Sequence, residues 1–434
     1  MSKPAPADRD REAIERLYGL ERGNKGPFGL AGTRALLDDL GRPEQAFRSI
    51  HVAGTNGKGS TSALIERLLR ATGRRTGLFT SPHLVHYRER VRVDGRALEP
   101  GGVTRLLERV GAAPSSAART FFEATFALAA LAFEEAGVDT AVLETGLGGR
   151  LDSTNVVSPA LTVLTPIGLD HMELLGATLE TIASEKAGIL KPGVPVVVGP
   201  QDPRALAVIE ARAREVGAEV VRELPRAAIH ALDARGTDVT FDIPGLEPVR
   251  ARLPLLGRHQ VANARLALAA ARAFAPALTT EQIVDGLEHA RWPGRFEACP
   301  TEPRLYWDGA HNPQGAATLR AAWREALDDA PGVLVLGFSE DKDADAMLGA
   351  LAGRWRRVVA VAARSPRART PDDVARRVTV AWPGVPVTPA ASVADGVAQA
   401  LAALEPGERV LACGSLFVVG EAMAWAGGGN LEWL

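Results

Sequence analysis

The residues best suited to chemistry stand in Gly54-Thr55-Asn56-Gly57-Lys58-Gly59-Ser60-Thr61, between an apolar run of strand character and a segment of helical period. Glycines let the backbone curl so that several N–H groups point at one anion, and the helix that follows adds its positive end. Lys58 supplies a point charge to β- and γ-phosphates. The spacing departs from G-x-x-x-x-G-K-[ST], because position 52 is Val and Gly59 follows Lys58. The hydroxyl that would hold Mg²⁺ is therefore missing, and a metal needs ligands from elsewhere. Three candidates follow strand ends: Ser81 in Thr80-Ser81-Pro82-His83, Glu144 in Leu143-Glu144-Thr145-Gly146, and His171 in Gly168-Leu169-Asp170-His171. A hydroxyl, a carboxylate and an imidazole, with waters, make a Mg²⁺ or Mn²⁺ sphere. Taken singly, the three also read as an N-cap Ser, a strand-end Glu and a surface His.

Further polar clusters stand at other element ends. Leu147-Gly148-Gly149-Arg150-Leu151-Asp152-Ser153-Thr154-Asn155 carries more φ-permissive and hydrogen-bonding residues than a plain connector needs, which suggests a substrate loop. The chain has only six lysines among 50 basic residues, so a lysine inside a motif draws attention. Lys186 in Glu185-Lys186-Ala187-Gly188 reads either as a helical lysine in an ion pair or as a chemically modified group facing a metal. In His259-Gln260-x-x-Asn263-Ala264 the polar residues fall on one helix face. Asp308-Gly309-Ala310-His311-Asn312-Pro313 follows a strand and opens a helix, where α/β sheets place ligand groups; Asn312 and Pro313 also suit a cap.

The elements that must position these groups alternate between short β-rich runs and Ala/Leu/Arg helices, the pattern of a mostly parallel α/β fold. Strands are predicted over Phe47–Ala53, Thr76–Thr80, Thr140–Thr145, Leu161–Thr165, Val194–Gly199 and Glu219–Arg222. Helices are predicted over Gly59–Ala71, Phe121–Ala136, Leu179–Leu190, Arg204–Val216, His259–Phe274 and Glu281–Ala290. Alternation from Ile229 to Leu255 suggests a small antiparallel insert. A second series, with strands near Leu305–Asp308, Val333–Gly337, Val358–Ala362, Val385–Thr388 and Arg409–Cys413, puts a domain boundary near residue 298. A domain over 1–298, with an N-terminal helical segment, and one over 299–434 would leave a cleft between two sheets.

Composition excludes several classes. At 434 residues, with 46% apolar and 24% charged residues, the chain reads as soluble and globular in at least two domains. A net charge of −2 gives no basic field for nucleic acid or an anionic membrane. No apolar run spans a bilayer, and MSKPAPADRDRE has no apolar secretory segment. Cys299 and Cys413 read as buried thiols in a reducing cytosol, so the expected location is cytoplasmic. No long apolar stripe is left over, and a monomer is expected.

Seven motifs in order (HVAGTNGKGST, TSPHL, ETGLGGRLDSTN, the DH-to-EKAGI spacing, LGRHQVANA, WPGR and DGAHNP) closely resemble the folylpolyglutamate synthase/dihydrofolate synthase family of the Mur ligase superfamily, over nearly the whole chain. The resemblance implies a P-loop-containing Mur-ligase-like domain followed by a smaller Rossmann-like α/β glutamate-ligase domain. It implies ATP on Thr55, Asn56, Gly57, Lys58, Gly59, Ser60, Asn263, Arg295 and Asp308, and two Mg²⁺ ions on Ser81, Glu144, His171 and Lys186. Lys186 would carry a CO₂-derived carbamate, which requires a neutral, desolvated amine and gives a hard oxygen donor. Lys58, Lys186, Asp308 and His311 would be catalytic. Thr120, Phe122, Glu123, Leu151, Asp152 and Ser153 lie where family members hold the pterin. Thr145 and Ser153 replace the commoner Val and Ala.

The implied reaction is ATP-dependent addition of L-glutamate to dihydropteroate and to tetrahydrofolate through an acyl phosphate, with release of ADP and phosphate. The narrower alternative is folylpolyglutamate synthesis alone. A Mur ligase for a UDP-linked precursor would need a UDP-binding domain before residue 50. A silent nucleotide-binding regulator would have lost metal ligands, and none is lost here.

Overall fold

The computed structural model describes residues 6–23, 29–427 and 431; the Pro-rich start, with Lys3, and also Lys25, Gly428 and Gly429 lie outside them. The first sheet has eight strands: β1 (Arg48–Ala53), β2 (Thr76–Phe79), β3 (Val91–Val93), β4 (Arg96–Ala97), β5 (Thr140–Glu144), β6 (Leu161–Leu164), β7 (Val196–Val198) and β8 (Val220–Val221). Their order is β4-β3-β2-β5-β1-β6-β7-β8, parallel except for the β3–β4 hairpin on one edge. Both faces are covered, so β1, β5 and β6 are buried almost throughout. β1 lies between β5 and β6, so the chain leaves it towards β2 on one side and returns to β6 on the other. Such a switch of direction opens a crevice at the carboxyl ends of the strands.

The predicted antiparallel insert is a separate three-stranded sheet of β9 (Arg226–Asp233), β10 (Gly236–Asp242) and β11 (Val249–Leu253). It packs Val239, Phe241, Val249 and Leu253 into the core shared with Leu64, Leu68 and the helix Arg258–Phe274. The third sheet runs β12-β13-β17-β14-β15-β16, from β12 (Glu297–Ala298), β13 (Leu305–Trp307), β14 (Gly332–Leu336), β15 (Trp355–Ala360), β16 (Val387–Pro389) and β17 (Arg409–Cys413). Only β12 is antiparallel in it, so residues 297 and 298 already pair with the second sheet system.

Most predicted elements appear within a few residues of their expected ends. The 219–222 strand shortens to the two residues of β8. The β3–β4 hairpin and the helix Gly102–Ala112 were not expected. At two and three residues the hairpin strands are too short to show a period. Helices Pro6–Gly23 and Ala31–Asp39 form the N-terminal helical segment. No helix among the described residues is long and apolar enough to cross a membrane.

Candidate active site

Strand β1 delivers the chain into the phosphate loop, and the loop is clamped from β6. The amides of Thr55 and Asn56 both donate to the Pro166 carbonyl (3.0 and 3.3 Å), and Thr55 Oγ1 donates to Gly168 O (3.1 Å). Gly57 has φ +83° and caps the helix Lys58–Arg70; a Cβ there would stand 2.6 Å from Asn263 Oδ1. Any side chain at 57 would therefore be strained in backbone and would displace Asn263. The first intrahelical bond is Thr61 N to Gly57 O, which leaves the amides of Lys58, Gly59 and Ser60 without helical acceptors at the cavity wall.

A cavity of about 300 Å³ gathers the predicted residues. Gly54–Ser60, Ser81, Glu144, His171, Lys186, Asn263, Arg295, Asp308 and His311 all line it. Sequence positions up to 257 apart thus meet where the carboxyl ends of β1, β2, β5 and β6 face the end of β13. The six residues expected to hold a pterin are not in this lining. Phe122 adjoins it, since a Cβ on Gly146 would stand 2.4 Å from the Phe122 ring. Glu123 closes a capping box with Thr120 (2.7 Å to its amide). Asp152 is buried, caps the short helix Ser153–Val156 and accepts from Leu147 N (2.9 Å).

Electrostatics divides the cavity into two kinds of group. Glu144 is 4% exposed; burial pushes its pKa up, against the opposing charge of Lys58 and the Ser81 amide that donates to Oε2 (3.2 Å). Lys186 is equally buried, donates to Gly54 O at 2.7 Å, and is pulled down to about 7 by burial and then by the charge of Lys58. A desolvated carboxylate and a partly neutral lysine are a donor set that fits a hard divalent cation, the lysine once it is carboxylated. Among the described residues no three His, Cys, Asp or Glu side chains cluster closely enough to hold an ion. The hydroxyl of Ser81, Lys186 and phosphate oxygens would therefore have to complete the sphere around Glu144 and His171.

From the second sheet, Asp308 follows β13. Its Oδ1 accepts the Ala310 amide (2.7 Å), and burial raises its pKa to about 6 against the pull of Arg295. The Arg295 guanidinium lies over Gly309, where a Cβ would stand 2.4 Å from Nη1. His311 donates from Nδ1 to Gly309 O (2.8 Å), and burial lowers its pKa to about 4, so it is neutral near pH 7 with Nε2 unprotonated. A raised carboxylate pKa means that the folded state resists ionisation, so the penalty is full above about pH 6 and vanishes below the ordinary value. Asp308→Asn is therefore expected to raise the melting temperature at pH 8, with the gain shrinking as pH falls through 6 to 4. Thermal melts across that range check it, and an equal shift at all pH values would refute the assignment.

One residue that sequence reasoning passed over organises the cleft. Asp170 accepts from Lys342 Nζ (2.6 Å), Asn312 Nδ2 (3.1 Å) and the His171 amide (2.9 Å), and lies 3.8 Å from His311 Nε2. Burial would raise its pKa, but the Lys342 bond and charge override this and hold it well below the usual carboxylate range. Asn56 adds further links between the sheets, donating to Gln314 Oε1 (2.8 Å) and accepting from Asn312 (3.1 Å). Both ends of the Lys342–Asp170 pair are only about a tenth exposed (11% and 10%). Removing one partner leaves a largely buried charge with weaker support, which costs about 2 kcal/mol. Lys342→Met should lower the melting temperature by several degrees; an unaltered melt would show that the pair bears no load. The scarcity of lysine is the sequence signal that could have found Lys342.

A glycine-rich loop at the switch point of one parallel sheet is thus faced by Arg, Asp and His from another. Residues 52–271 match the Mur ligase middle domain and residues 294–416 the Mur ligase glutamate ligase domain. Within that class the chain belongs to the folylpolyglutamate synthase/dihydrofolate synthase family. The Mycobacterium tuberculosis folylpolyglutamate synthase complexed with ADP superposes with a TM-score of 0.89 at 32% identity, over 96% of this chain and 99% of that one. A bifunctional folylpolyglutamate synthase/dihydrofolate synthase with Mn, AMPPNP and L-glutamate bound gives 0.82 at 29% identity, over 95% and 97%. A Haloferax volcanii protein named "Probable bifunctional folylpolyglutamate synthase/dihydropteroate synthase" is 37% identical over 423 residues, 95% of this chain but 50% of its own length. The chain thus spans about half the length of that archaeal relative.

Proposed function

We propose that the protein is an ATP-dependent ligase that joins L-glutamate to the carboxylate of dihydropteroate or a tetrahydrofolate through an acyl phosphate. The observation that carries this reading is the meeting, in one cavity, of the phosphate loop, buried Glu144 and Lys186, and Asp308, Arg295 and neutral His311 from the opposite sheet. The related enzymes solved with ADP, and with Mn, AMPPNP and L-glutamate, support the same substrates here.

In the proposed reaction the acceptor carboxylate attacks the γ-phosphorus of ATP, and ADP leaves. Lys58 and Arg295 offset the charge on the transferring oxygens, the main catalytic task in phosphoryl transfer. Ser81, Glu144, His171 and carbamylated Lys186 would hold Mg²⁺, which supplies further charge stabilisation. The glutamate amine then attacks the acyl carbon, and phosphate departs from the tetrahedral intermediate. Neutral His311, its Nδ1–H fixed on Gly309 O, can take the amine proton at Nε2. Thr120, Phe122, Glu123, Leu151, Asp152 and Ser153 would border the pterin beside the Gly146–Gly148 rim.

The test measures ADP release with dihydropteroate, with tetrahydrofolate or with neither, each with and without glutamate. Release that needs both an acceptor and glutamate supports the reading. Release with tetrahydrofolate alone narrows it to folylpolyglutamate synthesis, and release independent of glutamate overturns it.

A further inference from the structure

A second, larger cavity of about 910 Å³ shares no lining residue with the site described above. It lies beyond the carboxyl ends of β7 and β8, between them, the small antiparallel sheet and the outer face of the helix Arg258–Phe274. The wall between the two cavities is the segment after β6. Gln201, on the rim of the larger one, accepts the Ile167 amide (3.0 Å) and donates to Thr165 O (3.0 Å), while Pro166 between them holds the phosphate loop.

The lining combines an apolar wall with charged groups of both signs, Glu223 and Asp242 among them. Leu206, Leu224, Ile243 and Leu246 give an apolar wall, stiffened by prolines at 200, 225, 244 and 248, which carry few conformations. Against it stand three arginines. Arg222 is spent on Glu210 (2.7 Å). Arg265 uses Nε on Pro225 O (2.6 Å), and among the described residues its terminal nitrogens have no acceptor. The Arg226 side chain has no ion pair or hydrogen bond among the described residues, although Asp242 stands opposite it in the β9–β10 register. Two guanidinium groups with uncommitted donors beside an apolar wall are a fork for a carboxylate or phosphate with a place for its carbon body. The volume lies within the ~300–1,000 Å³ of small-molecule sites.

We infer that this cavity is a second ligand site, for an amphipathic anion whose flat apolar body rests on Leu224, Ile243 and Leu246 while its carboxylate or phosphate meets Arg226 and Arg265. The site stands independently of the proposed reaction, because its occupancy is measured without turnover.

The experiment titrates the full chain with 1-naphthoate and with 1-naphthyl phosphate, following naphthalene fluorescence, with and without saturating AMPPNP and Mg²⁺. The neutral analogue 1-naphthalenemethanol is the control. Saturable binding of either anion, unaffected by AMPPNP and about tenfold or more tighter than the control, is expected. Whichever anion binds tighter identifies the head group. Arg226 is exposed, so Arg226→Glu should fold normally and weaken anion binding about tenfold or more while leaving the neutral control unchanged. Leu246→Glu should weaken all three probes. Displacement by AMPPNP, equal affinity for the neutral analogue, unchanged binding in Arg226→Glu, or no saturation would each overturn the site.

Discussion

Lys186→Ala is expected to lower glutamate-dependent ADP release by about a thousandfold or more, the scale seen when a key charge-stabilising group is removed from a phosphoryl-transfer site. The protein should still fold. Lys186 is 4% exposed and its pKa is pulled down to about 7, from 10.5 in an open chain, so folding strips a proton from it between those two values. A lysine with a lowered folded pKa costs stability, fully below about pH 7 and no longer above about 10.5. Lys186→Met, which keeps the apolar bulk, should therefore be at least as stable as the parent at pH 6, with the advantage fading as pH rises. Loss of activity with an intact melt separates chemistry from collapse. Carbamylation adds two further readouts. Activity should fall in carbon dioxide-free buffer and return with bicarbonate, and a short carboxylate such as formate should partly rescue Lys186→Ala by supplying the missing oxygen donor. Lys186→Arg should stay inactive in all conditions, because its guanidinium does not deprotonate. Normal turnover in Lys186→Ala would remove the carbamate from the mechanism.

The sequence revealed this site unevenly, for physical reasons. Local devices were legible: Gly54–Thr61 had to be a strand–loop–helix turn because its glycines, lysine and flanking periods all agree, and Asn312-Pro313 had to start a helix. The missing hydroxyl at Gly59 directed attention to strand ends, and Ser81, Glu144 and His171 line the same cavity. What stayed hidden depends on pairings that no local pattern encodes. Asp170 gains its role from Lys342, 172 residues away, and Asn312, 142 residues away. Alone it reads as a loop carboxylate. Asp152 and Glu123 show the opposite difficulty, because each satisfies a helix cap and needs no ligand to account for its burial. The β3–β4 hairpin was missed because its five residues, two of them Arg and one Ala, gain their strand form from the edge of β2 and not from their own propensity.

Glu144→Gln is the second change with a large expected effect, and it acts in opposite directions on activity and on the unliganded fold. Glu144 ends β5 with 4% exposure, and one amide, from Ser81, is its hydrogen-bond donor. Burial raises its pKa, so the ionised form is costly to the folded chain above that raised value, and the cost disappears at lower pH where the group is protonated in both states. The neutral amide keeps the shape and an acceptor for the Ser81 amide but removes the buried charge. Without nucleotide or metal the variant should melt higher than the parent at pH 8, and the difference should close as pH falls. With ATP present the same charge has the proposed role of a Mg²⁺ ligand, so its loss should raise the Mg²⁺ concentration for half-maximal activity at least about tenfold and lower the maximal rate by about a hundredfold. Ser81→Ala should shift the Mg²⁺ titration in the same direction by less, since it removes a neutral oxygen and leaves the amide in place. The stabilising effect of Mn²⁺ with AMPPNP should be reduced in both variants. A Mg²⁺ titration unchanged in both would sink the ligand assignment, whereas a lower melt for unliganded Glu144→Gln would show that Lys58 fully compensates the buried carboxylate.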